Sequence, residues 1–423
     1  MVLKTVSRSL MMAASVVCAT SPVFAGGFVR GTADTDLLYE EGNFNMRAGV
    51  SIVAPQRNYE TINGAAATDG KFTDTYAVPS AAYKINLTDD ARCAGTYTIS
   101  NGGDASYGMQ AIIAGLADGT GTSDRHFKTN EFGMTCGYKF DGVGPGRLWL
   151  LGGVFGEDFS YSETVRMLDG ATLAAVGHPL AAFGGAAPMA NSGTLAFDGG
   201  YQMGYRLGIA YEVPEIALRA QLVYRSQVNH TANGTFRFFD TTTGATLFGG
   251  AAVLPTRGWG SLPQSVELKL QSGVAEGTLA FLNVKWTDWS VLQRLNYTID
   301  ARALGGAVVP TGLEYFWKDG WTVTAGMGRQ LTDNIAGSVS LTWDQGVSTT
   351  EDAFTDTWTL ASGVSMKDER GGEFRAGAAV SYLTGKSVAR EAVPGGGGPG
   401  DTFAYTVNGD WSVAFGGGYS VKW

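Results

Sequence analysis

From residue 45 onward the chain repeats one pattern: apolar side chains occupy every second position over about 8 to 15 residues, and a break rich in Gly, Asp, Thr or Pro follows. The last segment, WSVAFGGGYSVKW, sets Trp411, Val413, Phe415, Tyr419, Val421 and Trp423 on one face. Ser412, Ala414, Gly416, Gly418, Ser420 and Lys422 lie on the other. Such a strand is half-buried, or has one face toward lipid and one toward a wet lumen. YQMGYRLGIAY (201–211), IAGSVSLTW (335–343) and EFRAGAAVSYL (373–383) repeat it. The pattern predicts strands at 45–58, 75–86, 91–100, 129–140, 146–157, 200–212, 215–229, 265–272, 277–289, 320–331, 334–344, 355–367, 371–384 and 410–423.

The links between these segments alternate. Short ones fall at 87–90, 141–145, 213–214, 273–276, 332–333 and 368–370, and the links between them are long. Short turns on one side, long loops on the other and an even strand count describe a bacterial outer-membrane barrel. Closure also pairs every backbone donor and acceptor, as hydrocarbon requires. The expected fold class is therefore all-β: a 14-stranded antiparallel transmembrane β-barrel with a short N-terminal hatch.

A chain that starts and ends on the short-turn side places Trp423 at the periplasmic interface, on the strand that closes the barrel. A terminal aromatic on an alternating strand resembles the recognition signal of the barrel assembly machinery, an expected partner. Cys93 and Cys136 fall near the periplasmic ends of neighbouring segments and share their faces with Tyr97 and Ile99, and with Met134 and Tyr138. Both can point to one side, which a disulfide requires; two free buried thiols are the alternative.

Composition narrows the class. Thirty basic against 39 acidic residues give a net charge of −9, which does not suit a nucleic-acid partner. Residues 1–25 carry Lys4 and Arg8, an apolar run from Leu10 to Ala19, and Val23-Phe24-Ala25. That order reads as a secretory leader cut after Ala25. The run is too short for a spanning helix, and no later stretch approaches about 18 apolar residues. The domains are then a leader (1–25), a hatch segment (26–44) and the barrel (45–423).

Several segments resemble a known family. LPQSVELKLQSGVAEGTLAFLNVKWTDWSVL (262–292), above all Trp286-Thr287-Asp288-Trp289-Ser290, resembles the FadL-like long-chain fatty acid outer-membrane transporters. ALRAQLVYRSQV (217–228) and VSYLTGKSV (380–388) resemble two further strands of that family. The resemblance implies a plugged barrel that catches a hydrophobic substrate between long outer loops, passes it to an inner site and releases it through the wall near the third strand. It implies no energy source and no cofactor. One departure stands out: residues 26–45 are shorter than the usual plug, and Glu41-Gly42-Asn43 occupies the place of its Asn-Pro-Ala motif.

Candidate residues follow. Within the long loops, Leu173, Val176, Leu180, Phe183, Met189 and Phe197 could face Phe236, Phe239, Phe248 and Trp259 across a capture groove; a mini-core capping the barrel is the alternative. Burial of a fatty tail would contribute about 0.8 kcal/mol per CH₂. By the alternation, Arg206, Arg219, Arg225 and Lys285 face the lumen and could hold a carboxylate head group; pairing with lumen acids such as Glu267 is the alternative. Glycines 95, 102 and 103 could mark a kink in the third strand.

His126, His178 and His230 fall in predicted outer loops without a metal or nucleophile pattern, so neither an enzyme nor a metal site is expected. GGGGPG (395–400) is expected to be a loop. The expected function is passive uptake of hydrophobic compounds, long-chain fatty acids first, by a monomer in the outer membrane of a Gram-negative bacterium, in contact with its lipid. A carboxylate ligand in the lumen would favour fatty acids, and an all-apolar inner site aromatic hydrocarbons. A general diffusion porin is a third reading.

Overall fold

Every predicted segment forms a strand in the computed structural model, which describes residues 26–118, 120–175, 177–178, 180–349, 352–389 and 403–423. The leader, Val176 and the GGGGPG segment lie outside these residues. The strands are β1 (Phe44–Pro55), β2 (Tyr76–Asn86), β3 (Ala91–Ser106), β4 (Thr120–Val143), β5 (Gly146–Met167) and β6 (Asn191–Val213). Four are interrupted by a kink: β7 (Leu218–Arg225, Val228–Asp240), β8 (Val253–Leu262, Ser265–Ala275), β9 (Thr278–Thr287, Arg294–Asp300) and β10 (Val308–Glu314, Gly320–Gln330). β11 (Ile335–Asp344), β12 (Thr357–Lys367), β13 (Glu373–Leu383) and β14 (Asp410–Lys422) complete the wall. Each pairs antiparallel with the next, and β14 pairs back onto β1 from Lys422 opposite Asn45 to Ser412 opposite Pro55.

The alternation has the predicted sense. Tyr205, Leu207, Ile209, Leu222, Leu360 and Phe415 point outward, whereas Gly204, Arg206 and Ala210 point in. Trp423 closes the seam: its N–H donates to Phe44 O, its carbonyl accepts from the Asn43 and Phe44 N–H groups, and its ring lies 5.3 Å from that of Phe44. Cys93 and Cys136 sit opposite one another on β3 and β4 and are bonded.

The long links need correction. Residues 158–199 and 230–264 were expected to be loops, but β3 to β10 continue well above the predicted segments. Only 168–190 and 241–252 remain as the connections of β5 to β6 and β7 to β8. The physical reason is period two: Phe236, Phe238, Leu254 and Thr256 alternate inward along the same ladder, so these apolar residues extend the wall rather than leave it. His126 and His230 consequently lie on strands β4 and β7, not in loops.

The hatch segment fills the lumen from the short-turn end. A 3₁₀ turn, Thr35–Tyr39, packs Leu37 and Leu38 at 0% exposure, with Leu38 against Ala94, Trp149, Leu151 and Ala210. Below it, Lys84 Nζ donates to Glu40 O and Gly42 O, each at 2.7 Å, and Arg92 donates to Leu38 O at 3.0 Å. Arg47 pairs with Asp34 and Glu40. Above it, the chain runs along the inside of β3. Arg30 N–H donates to Ser100 O at 2.9 Å and Gly102 N–H to Phe28 O at 2.8 Å. β3 carries a bulge between Ile99 and Asn101, the place where this contact is made.

Candidate ligand cavity and lumen

Phe28 ends the hatch in a cage of rings. Its centroid lies 5.0 Å from Phe127, 5.7 Å from Tyr315, 4.7 Å from Trp317, 5.5 Å from Phe354 and 6.1 Å from Trp289. Gly27 makes this possible: its φ is +64°, and a Cβ there would lie 2.7 Å from Trp289 and 2.8 Å from Trp317.

Beside Phe28 opens a cavity of about 290 Å³. Tyr59, Phe72, Tyr107, Phe127, Tyr161, Tyr315, Phe354, Phe403 and Tyr405 line it, so loops between β1 and β2, β3 and β4, β11 and β12, and β13 and β14 all contribute. Tyr59 stacks on Phe72 at 4.4 Å. Burial pushes the Tyr59 and Tyr107 phenols above their ordinary values, so both stay neutral. Burial likewise raises the Asp352 carboxyl, which accepts the Trp317 indole N–H.

The cations around this cavity are committed. Arg30 pairs with Asp104 at 2.6 Å and stacks 3.6 Å over Tyr76. Arg125 pairs with Glu163 at 2.7 Å. Arg57, 2% exposed, donates to the carbonyls of Ala353 and Thr384 and to Thr355 Oγ1, and lies 3.5 Å from Asp410. It therefore ties three outer loops together.

Below the hatch contact lies a polar chamber lined by Ser100, Glu131, Arg206, Arg225, Glu267 and Lys285. Register sets Glu131 opposite Glu157 and Arg206 opposite Arg225. Each like-charged pair would repel on its own. Together they form a quartet: Arg206 binds Glu131, and Arg225 reaches Glu131 at 3.0 Å and Glu157 at 2.7 Å. Phe155 lies between the guanidiniums, 4.4 and 4.3 Å from its ring centre. His230 Nε2, Ser100 Oγ and Asn101 Nδ2 complete the partners of Glu157 at 3.2, 2.6 and 3.3 Å.

The structure thus brings three of the four predicted lumen cations to acids: Arg206 and Arg225 in the quartet, and Arg219 4.0 Å from both Asp36 and Glu212. Lys285 lies opposite Glu267 across β8 and β9. The predicted groove residues are not gathered around an open cleft. Leu173, Phe183, Phe197 and Phe236 are buried together in one core with Leu195, Phe238 and Leu254, and Phe183 stacks on Phe238 at 3.5 Å. Leu180 packs partly against this core, while Met189 and Phe239 are half-buried. Phe248 and Trp259, at 64% and 44% exposure, face outward. Loops this apolar stay soluble by packing on one another.

Sequence reasoning missed the cage. A signal existed in Gly26-Gly27-Phe28 directly after the expected cut and in rings recurring at 59, 72, 107 and 127. Nothing in the local pattern said that they meet.

Residues 155–383, more than half of the chain, match the profile of the outer membrane protein transport family (OMPP1/FadL/TodX). The chain belongs to this family. Family membership makes it an outer-membrane barrel of a Gram-negative bacterium that transports hydrophobic compounds, in a family of channels rather than enzymes. Solved structures agree in fold. A Pseudomonas aeruginosa FadL homologue superposes with a TM-score of 0.69 at 13% identity, covering 94% of this chain and 96% of that one. The P. putida toluene transporter TodX gives 0.62 at 15% identity, covering 92% of each chain. The CymD monoaromatic hydrocarbon channel gives 0.60 at 12%, covering 92% and 90%. No curated protein matches the chain by sequence.

Proposed function

We propose that this FadL-family barrel takes up neutral hydrophobic compounds of one or two rings, and that the aromatic cavity beside Phe28 is their binding site. The observation that carries this reading is a ring-lined cavity whose guanidiniums are each bound to an acid. A dry apolar cavity of about 150 Å³ accepts a benzene, so about 290 Å³ has room for a substituted or second ring. A fatty acid would bring in a carboxylate, and burying it without a free partner costs several kcal/mol. This ranks aromatic compounds above the long-chain fatty acids that the sequence suggested. The likeness to a toluene transporter and to a monoaromatic hydrocarbon channel supports the same reading. Of the groove residues, Phe248 remains as a first contact on the outer surface, 6.0 Å from Phe183.

Equilibrium binding of radiolabelled toluene and of dodecanoate to the purified barrel tests this, with Phe72→Asp as the cavity variant. Saturable toluene binding that Phe72→Asp weakens at least tenfold is expected, with dodecanoate bound more weakly. Tight dodecanoate binding without toluene binding would restore the fatty acid reading. Binding of neither, with ready passage of small sugars into proteoliposomes, would leave a porin.

A further inference from the structure

The ladder between β8 and β9 is interrupted. Thr256–Trp259 pair with Asn296–Ile299, and pairing resumes only at Ser265 opposite Thr287. Between these runs residues 260–264 stand against 288–295, with the Asp288 N–H donating to Gln264 O at 3.0 Å. Pro263 has no N–H to offer, and its carbonyl accepts instead from Arg225 Nη1 inside, at 3.5 Å. Directly below, Tyr224, Val266, Trp286 and Trp321 lie side by side across four strands, an aromatic girdle at the outer interface. Hydrocarbon requires an unbroken ladder below this row but not above it. Cavities meet the breach from both sides. Outside lies an open groove of about 600 Å³, lined by Asn229, Thr231, Arg257 and Trp259, whose ring is 44% exposed. Inside lies a pocket of about 30 Å³ lined by Leu292 and Leu295, which shares Phe28, Phe127, Tyr161 and Tyr315 with the ring-lined cavity. Gly260, Ser261 and His230 border both the groove and the pocket, so the wall here is one backbone thick. Leu295 seals it: a Cβ on Gly260 would lie 2.7 Å from Leu295 Cδ1.

We propose that neutral ring compounds enter through this breach: the groove at Trp259 receives them, Leu295 swings aside as the gate, and the small pocket passes them to the cavity beside Phe28. The proposal rests on the reading of that cavity as the binding site and adds its entrance. Trp259 offers a ring face on which an aromatic compound can stack before it enters. Leu295 can change rotamer without breaking a hydrogen bond, and Gly260 has no side chain to block the path. A stretch closed by packing rather than by ladder bonds opens at lower cost than a paired strand. The breach lies five strands from β3, the strand near which the family resemblance places release, so entry and release use separate parts of the wall.

The test measures naphthylamine, a neutral two-ring probe, binding to the purified barrel in stopped flow, read by energy transfer from tryptophan. Ser261→Cys is labelled in the groove with a bulky polyethylene glycol maleimide and compared with the same variant before labelling. The label is expected to slow association and dissociation together by at least fivefold while the equilibrium affinity stays within twofold, because an obstructed entrance slows both directions equally. Thr242→Cys, exposed in the β7 to β8 connection and labelled in the same way, is expected to change neither rate. Leu295→Ala, checked for folding by its unheated gel mobility, is expected to raise both rates at least threefold. The labelled groove decides the matter where Leu295→Ala does not fold. Rates unaffected by the label at residue 261, equal slowing by the label at residue 242, a loss of affinity in place of a loss of rate, or a folded Leu295→Ala with unchanged rates would each overturn the entrance and leave the binding site standing. Absence of probe binding in wild type would overturn the reading of the cavity, and the entrance with it.

Discussion

At the scale of single residues, the interior is governed by charges that cannot be left alone. Glu131 serves both Arg206 and Arg225, and each of the three is largely out of solvent. Removing one member of a buried ion pair strands the others, typically at 3–5 kcal/mol. Glu131→Ala is therefore expected to destabilise the refolded barrel by about that much, read as a lowered midpoint in urea. Glu267→Ala, which removes a more exposed acid of the same chamber, is expected to cost less. His178 behaves differently. It lies in the 168–190 connection, where burial lowers its pKa and Leu180 N–H donates to its Nδ1 at 3.1 Å. Because the neutral ring is favoured in the fold, its contribution is fully present above the unfolded value of about 6.5 and is lost as pH falls below it. Protonation also removes the acceptor. The protection of the Leu180 amide against hydrogen exchange, measured relative to an unstructured amide at the same pH, is expected to fall between pH 7 and 5, and His178→Gln to flatten that dependence.

At the scale of elements, the hatch works as a short strap pressed onto one strand. Gly31 is the tightest point: a Cβ there would lie 2.6 Å from the carbonyl oxygen of Ile99, in the bulge of β3. That oxygen belongs to the barrel wall and cannot step aside, so Gly31→Ala must move the strap. The expected result is a rise in single-channel conductance in planar bilayers, with a normal folded mobility on gels. Gly70→Ala, whose Cβ would meet nothing within 4 Å, is the control and is expected to leave conductance unchanged. The kinks in β7 to β10 belong to the same scale. At Ser226-Gln227 and Pro263-Gln264 the ladder breaks, and inward residues of the outer halves of these strands, among them Phe236, Leu254, Leu295 and Leu313, share one core. Proline cannot donate to a ladder, which accounts for the break at 263.

At the scale of the whole molecule, closure is the decisive event, because an open sheet edge in hydrocarbon leaves its backbone groups unpaired at several kcal/mol each. β14 completes this closure against β1, and Trp423 contributes three backbone hydrogen bonds and a ring at its end. Deleting Trp423 is expected to lower the yield of folded barrel in outer membranes severalfold while refolding in detergent persists, as judged by heat-modifiable gel mobility. Equal loss in both settings would assign the residue to stability alone rather than to assembly.

The wall was legible from the chain because its cause is local. A strand with one apolar face repeats every two residues wherever it stands, so Tyr205, Leu207 and Ile209 announce their side without knowing their neighbours. The same periodicity ran on through Phe236 and Phe238 into the expected loops, and a coarse reading stopped too early. The inward direction of Arg206 and Arg225 followed from parity alone. What they bind did not, because Glu131 and Glu157 reach them only through the register of four strands.

The sequence by itself therefore determined the strand count, the two faces of the wall, the alternation of turns and the family, all of which arise from short-range periodicity and motif. Only the tertiary structure decided the cage around Phe28, the pairing of the lumen charges and the burial of the outer loops. Those depend on residues hundreds of positions apart meeting in a closed ring, as Gly26 meets Asp344, and no local pattern encodes that distance.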